Sequence, residues 1–485
     1  MIWITSLINC EVRSARQYMA SSKHDLKELL QIQQDAFRRQ PFPSEKLRIT
    51  QLKALKIALL KHKDKLIKAI SADFGHRSKD ETQLADIMPT ILSIGYHIKH
   101  LRNWMKPEKR HVSALFQPAS SQIMFQPLGV IGIMAPWNYP VFLTLGPLIA
   151  AIAAGNRAMI KPSEFTPYSN RILNEIVNEA FSKDEVAIVE GEAEIAAAFS
   201  ALPFDHLIFT GSTTVGKHVM VAAAKNLTPV TLELGGKSPA IIADDVTTDF
   251  AVERLLYGKC LNSGQTCVAP DYVLCPESKL DELVASLKKG FTALYPDLSC
   301  GDYSSVINER QYSRLKGLIE DAKARGAVVI SLADQPESPL RCLPLQLIIG
   351  ANDKMEVMQE EIFGPILPIL TYKNIDEAIS FIQAKARPLA LYLYSLNKKT
   401  QNQVLMQTHA GGVCINDSVN HVAQEDLPFG GVGGSGMGKY HGKEGFLSFS
   451  AAKPILKRGR IYSAKAAFPP YNRFIHKIIY HLFLK

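Results

Sequence analysis

The chain has 485 residues, of which 47% are hydrophobic and 21% charged, with a formal net charge of +9. That composition excludes a disordered chain, and the length suits about three domains. Lys and Arg are scattered rather than gathered, which argues for a solvated basic surface over a nucleic-acid groove. The seven cysteines, an odd number with no C-x-x-C pair, point to neither a disulfide framework nor a zinc site and fit a reducing, cytoplasmic setting.

In chain order, the opening "MIWITSLINCEVR" has no basic residue before its apolar run and does not read as a secretory signal. Met19 would serve equally well as a start. Residues 23–101 carry a mostly helical pattern, rich in Lys, Glu and Gln between repeating apolar positions. "SSQIMFQPLG" stands apart from the two alternating blocks that follow. "VIGIMAP" (130–136) reads as a buried strand. It leads into "APWNYP", where Asn138 in a stiff turn is either a fixed amide donor for an oxyanion or plain turn chemistry. Residues 141–154 are 14 in number, too few to span a bilayer, and predict a buried helix capped at Gly155. The strands "RAMIKPS", "EVAIVEG" and "HLIFTG" alternate with helices, the pattern of βαβ units around a parallel sheet.

After "HLIFTG", Gly211 and Gly216 are followed by Lys217, one residue short of a P-loop, with His218 where Ser or Thr would hold Mg²⁺. The turn suits a phosphate at a helix N-terminus or is simply a strand-to-helix turn. A second alternating block begins at "PVTLELGGKSPAIIADD" and runs to about Gly412. Glu233, between Leu232 and Leu234, is a candidate general base with a pKa raised by burial, or else a surface carboxylate on an edge strand. In "NSGQTCVAP", Cys267 follows Gly264 and polar residues, a setting for an exposed thiol, although a free cysteine is more often a small buried hydrophobe. At the end, Phe474, Ile475, Ile478, Ile479, Leu482 and Phe483 recur at helical spacing opposite basic residues. That tail suits packing on a partner subunit, with peripheral contact to an anionic membrane as the lesser alternative.

Together the pieces "PWNYP", "KPSEFTP", "FTGSTTVG", "LELGGKSP", "GQTCVAP", "EEIFGP" and "PFGGVGGSGMG", in that order from about Gln34 to Ser450, resemble the aldehyde dehydrogenase superfamily. The stretch "INDSVNHVAQEDLPFGGVGGSGMGKYHGKEGF" is similar to the class 3 branch, and within it to the coniferyl aldehyde dehydrogenase group. The resemblance implies an α/β fold with a Rossmann-like cofactor domain (22–232, interrupted by an oligomerisation segment at 113–130). A catalytic domain (233–412), a return to the cofactor and oligomerisation region (413–460) and an amphipathic tail (461–485) complete it. It implies that Cys267 is the nucleophile, Glu233 the base for thioester hydrolysis and Asn138 an oxyanion donor. It places Gly211, Ser212, Thr213, Thr214, Val215 and Gly216 near the pyrophosphate of NAD or NADP rather than ATP, with Lys217 an ordinary surface residue. Lys161 and Glu164 fall at the adenosine ribose, favouring NAD, and Glu361 and Phe363 at the nicotinamide end, with Trp137 and Leu234 alongside. It further implies a homodimer, no resident metal, and an aromatic or medium-chain aliphatic aldehyde as substrate. His421 and His441 are expected to pack or hydrogen-bond. A nucleotide triphosphatase and a catalytically silent member of the fold are the competing readings. His218 speaks against the first, and the joint presence of Cys267, Glu233 and Asn138 against the second.

Overall fold

The structure, a computed structural model, describes residues 22–298, 301–333 and 340–484. The N-terminal leader, Cys10 and Cys300 lie outside the described residues. Helix Lys23–Arg39 starts at a reciprocal cap, in which Asp25 N donates to Ser22 Oγ at 3.2 Å and Ser22 N to Asp25 Oδ2 at 2.7 Å. The helices Glu45–Phe74 and Met88–Trp104 follow.

The first strands are β1 (Glu108–Arg110), β2 (Ser120–Pro127), β3 (Val130–Met134), β4 (Arg157–Lys161), β5 (Val186–Ile188), β6 (His206–Thr210) and β7 (Val230–Glu233). Next come β8 (Pro239–Ile242), β9 (Tyr272–Pro276), β10 (Val328–Ser331), β11 (Gln346–Ile349), β12 (Ile366–Tyr372), β13 (Ala390–Tyr394) and β14 (Gly412–Ile415), then β15 (Gly436–Met437) and β16 (Ser450–Lys457). They form three sheets, in the orders β15-β7-β6-β3-β4-β5, β10-β11-β12-β9-β8-β13-β14 and β1-β2-β16.

In the first sheet β3 pairs in parallel with both β4 and β6. The chain therefore runs outward through β4 and β5, then crosses back to β6 and β7. Such a reversal opens a crevice beyond the carboxyl ends of the strands on either side of it. The loops that leave β3 and β6 are the ones carrying Trp137 and Asn138, and Gly211 and Ser212. The strands are near-continuous apolar runs because helices cover both faces. Every residue of β3 and of the helix Phe142–Ala154 is buried. That helix ends at Gly155 in the left-handed conformation.

The segment "SSQIMFQPLG" finds its partner at the far end of the chain. β2 pairs antiparallel with β16, Phe125 opposite Ala452. β7, read above as a possible edge strand, is flanked on its outer side by β15, with Gly436 opposite Glu233. The tail forms the helix Phe474–Phe483.

Candidate active site

Cys267 owes its position to a bend that few residues can make. After the helix Thr248–Cys260 the chain passes through Asn262 (φ 51°, ψ 36°) and Ser263 (φ 52°, ψ 33°), both left-handed. Gly264 follows at φ 73°, and a Cβ there would lie 2.5 Å from the backbone oxygen of Gly364. Both the conformation and the space require glycine. Gln265, fully buried, pins the bend: Nε2 donates to the carbonyls of Asn262 at 3.0 Å and Ser305 at 2.9 Å, and Oε1 accepts from Ile307 N at 2.9 Å. Asn138 is tied to the same loop. Its Nδ2 donates to Gln265 O at 3.1 Å, and its own carbonyl accepts from Asn262 Nδ2 at 3.0 Å. One of the two amide hydrogens of Asn138 is thereby used, and the other meets no acceptor among the described residues.

Behind Asn138 stands a buried charge cluster that the sequence does not advertise. Arg77 Nη1 donates to Asn138 O at 2.9 Å and Nε to Glu81 Oε1 at 3.1 Å, with Asp86 Oδ2 at 3.9 Å from Nη1. Asp86 Oδ1 accepts from Phe142 N at 2.6 Å, at the start of the apolar helix. Burial raises the Asp86 carboxyl to about 6, and the Arg77 charge pulls against that rise.

Cys267 and Glu233 line one cavity of about 270 Å³. Its walls are mostly apolar and include Met88, Leu92, Phe142, Leu143 and Phe429. The polar neighbours in sequence suggest an exposed thiol; Cys267 is partly exposed and lines this cavity. Burial, with the charges of Glu361 and Glu233, pushes it up to about 12, while the backbone N–H groups of Cys267 and Val268 act the other way. Glu233 is 2% exposed, and neither carboxylate oxygen has a hydrogen-bond partner among the described residues. Burial holds its pKa well above the ordinary value, with Lys439 the opposing charge. Glu233 is therefore no surface carboxylate. Tyr440 lines the same cavity with a buried, unpartnered hydroxyl.

The remaining residues singled out in sequence fall in the crevice beyond the first sheet or at its edge. Ser212 caps the helix Thr213–Ala224, accepting from Val215 N, and Thr213 Oγ1 donates to Gly434 O at 3.4 Å. Thr214, Val215 and Lys217 are exposed. A Cβ on Gly216 would lie 2.7 Å from Leu234 Cδ2, so its bareness lets the helix close onto the end of β7. A Cβ on Gly211 would meet the Phe209 ring at 2.5 Å. Lys161, buried, donates to Glu164 Oε2 at 3.1 Å and to Pro162 O at 3.0 Å. The Trp137 and Phe363 rings meet edge to face, with centroids 5.3 Å apart. Phe363 sits at φ 49°. The Glu361 carboxylate lies where a Cβ on Gly235 would be, 2.0 Å from Oε2. Burial and the Asp271 charge raise it to about 8, against a hydrogen bond from Gly236 N–H. Lys161 and Glu164 are not part of the cavity lining.

The aldehyde dehydrogenase family profile matches residues 11–455. The chain is 50% identical over 472 residues to the probable coniferyl aldehyde dehydrogenase of Pseudomonas aeruginosa, covering 96% of this chain and 99% of that one. This chain belongs to the aldehyde dehydrogenase family. It is also 39% identical to the dimeric NADP-preferring aldehyde dehydrogenase of Canis lupus familiaris, over 87% of this chain and 93% of the relative. Among solved structures it matches the substrate-bound state of Staphylococcus aureus AldH, with a TM-score of 0.89, 39% identity and coverage of 94% and 99%. It also matches a Mycobacterium tuberculosis aldehyde dehydrogenase complexed with NAD⁺, with a TM-score of 0.83, 28% identity and coverage of 91% and 92%. The α/β architecture expected from the sequence is thus that of the family, and the enzyme is an aldehyde dehydrogenase.

The residues of this aldehyde dehydrogenase fit a dinucleotide on their own chemistry. A capped helix N-terminus meets the crevice where the strand order reverses, as an anionic phosphate requires. A paired Lys161 and Glu164 offer a cation and an acceptor for a ribose. Among the described residues no group of three His, Cys, Asp or Glu side chains gathers as a metal site. Burial lowers His421 to about 4 and His441 to about 3. Their ring nitrogens make no hydrogen bonds among the described residues, and His441 stacks on Phe429 at 5.1 Å. Sequence reasoning missed Arg77, Asp86 and the holding role of Gln265. Only Gln265, inside "NSGQTC", carried a signal that could have been followed.

Proposed function

We propose that this enzyme oxidises an aromatic aldehyde of the coniferyl aldehyde kind, or a medium-chain aliphatic one, to the carboxylic acid. NAD is the cofactor and NADP is accepted. The observation that carries the reading is one apolar cavity with a thiol and an unpartnered buried carboxyl group on its wall.

In this reading the Cys267 thiol loses its proton to solvent and the sulfur attacks the carbonyl carbon, forming a C–S bond and an oxyanion. The free N–H of Asn138 and the backbone N–H of Cys267 hold the oxyanion; one such donor is worth about 3 kcal/mol of barrier. When bound, the oxidised dinucleotide supplies the acceptor for the hydride leaving the thiohemiacetal carbon. Glu233 then takes a proton from water, whose oxygen attacks the thioester. The C–S bond breaks, and the acid leaves with the thiolate restored. Thiolate is a sufficient leaving group here, where an alkoxide would leave a more inert ester. A base on the cavity wall favours hydrolysis over transfer of the acyl group to another thiol.

Pre-steady-state measurement of NADH tests the assignment. Glu233→Gln is expected to give a burst approaching one equivalent per site followed by turnover slowed at least about 100-fold, in line with loss of a general base. Cys267→Ala is expected to give neither burst nor turnover. Full turnover by Cys267→Ala would refute the reading. We further propose that two copies of the chain associate, as the exposed apolar side chains of its C-terminal region suggest.

A further inference from the structure

The oxyanion of the proposed reaction takes its donors from two separate loops, Asn138 after β3 and the backbone N–H of Cys267 after the helix Thr248–Cys260. A reacting atom that must meet both to within about 0.5 Å requires the loops to keep a fixed separation. One tie is direct, from Asn138 Nδ2 to Gln265 O at 3.1 Å. A second runs through Glu81, in the short helix Lys79–Thr82. Glu81 Oε1 accepts both from Arg77 Nε at 3.1 Å and from Ser304 Oγ at 3.0 Å. On the Arg77 side the path ends at the Asn138 turn. Nη1 donates to Asn138 O, and the guanidinium lies 4.8 Å from the centroid of the Tyr139 ring. On the Ser304 side it ends at the bend before Cys267. Ser263 Oγ donates to Ser304 O, and Gln265 Nε2 to the next carbonyl, Ser305 O. Ser305 N donates in turn to His76 O at 3.0 Å, which fastens residues 304 and 305 to the segment 76–81 at a second point.

Arg77, Ser263, Ser304 and Ser305 are each no more than 1% exposed. Hydrogen bonds to a carboxylate are roughly twice as strong as neutral ones, and loss of the acceptor leaves buried donors unpaired. Without Glu81 Oε1 the two paths no longer have an atom in common. We infer that Glu81 is a positioning residue that, through Arg77 and Ser304, sets the distance between the Asn138 amide and the loop of Cys267. Glu81 is not part of the cavity lining, so it acts through these residues and not on the substrate. The inference rests on the proposed function.

The test measures pre-steady-state NADH formation, kcat and KM for NAD with the full chain and coniferyl aldehyde. Glu81→Leu removes the shared acceptor and is expected to slow NADH formation about 10- to 100-fold, the scale of a misplacement near 1 Å, with KM for NAD within about twofold of wild type. Glu81→Gln keeps an oxygen for both donors and is expected to stay within about fivefold of wild type. Ser304→Ala, a smaller change that cuts one path, is expected to slow NADH formation about fivefold or more, and it decides the matter if melting curves show Glu81→Leu unfolded. With Asn138 already replaced by Ala, Glu81→Leu is expected to cost less than about threefold more, because residues that act as a unit are not additive. Wild-type rates in both Glu81→Leu and Ser304→Ala overturn the inference. So does the same fold-loss with and without the Asn138 amide, a Glu81→Gln as slow as Glu81→Leu, or a loss confined to KM for NAD. Absence of NADH from every aldehyde with the wild type would instead refute the oxidation reading beneath it, and this inference with it.

Discussion

Glu233 is a carboxyl group with almost nothing to hold it ionised. Both oxygens are buried without a partner among the described residues, and Lys439 is the opposing charge. A general base needs this: a carboxylate satisfied by several N–H donors would be too weak to take a proton from water. The arrangement carries a stability cost with a definite sign. The folded state keeps the Glu233 proton at pH values where the unfolded chain has released it, so the native state binds more protons and stability falls as pH rises above the ordinary glutamate value near 4.5. Glu233→Gln, which cannot ionise, is expected to be more stable than the wild type at pH 8. The margin should close as pH falls toward 4, where both carry a neutral side chain. Melting curves of the two proteins across that range check it, and a margin that grows toward acid would contradict the raised pKa. The cysteine is subject to the same pressure: burial pushes its thiol up to about 12.

The elements that carry these residues differ in how openly the sequence displays them. β3, β4 and β6 are apolar runs bounded by turn residues, and the loops after them are short, so the first sheet and the loops of Asn138 and Gly211 are legible from period and punctuation alone. The β1-β2-β16 sheet is not, because β2 and β16 are far apart in the chain and β16 is mostly exposed, so neither has a period that points to the other. Arg77 is hidden for a related reason. It follows a Lys-rich helix, where an arginine reads as solvated, yet it is 1% exposed and clamps the Asn138 turn, Glu81 and Asp86 together. Arg77→Met is expected to cost about 3–5 kcal/mol of stability, because it leaves buried carboxylates without their cation. It should also lower kcat by freeing the Asn138 turn. Urea denaturation gives the first number, and adding Asp86→Asn is expected to recover part of it. A stability within about 0.5 kcal/mol of wild type would mean that the cluster is solvated in solution.

At the scale of the whole molecule, the C-terminal region is the part least satisfied by its own fold. β16 is the edge strand of its sheet, and an open edge invites pairing with another chain. Leu456, Ile461, Phe468, Tyr471, Phe474 and Leu482 are all exposed, a run of apolar surface unusual for a monomer. No acidic residue follows Glu444, while Lys453, Lys457, Arg458, Arg460, Lys465, Arg473 and Lys477 do. No helix among the described residues is long and apolar enough to cross a membrane. Two occupants suit such a surface, a second copy of the chain and an anionic lipid surface, and they separate experimentally. A two-fold contact covers the edge and the apolar run of both copies at once, and stable interfaces bury about 800 Å² per partner, which a tail of this size can supply. The expected result is a dimer mass for the full chain by light scattering, a monomer mass after deletion of residues 461–485, and equal, negligible flotation of both with anionic vesicles. An unchanged mass after deletion would move the interface elsewhere, and flotation of the full chain alone would give the tail to the membrane.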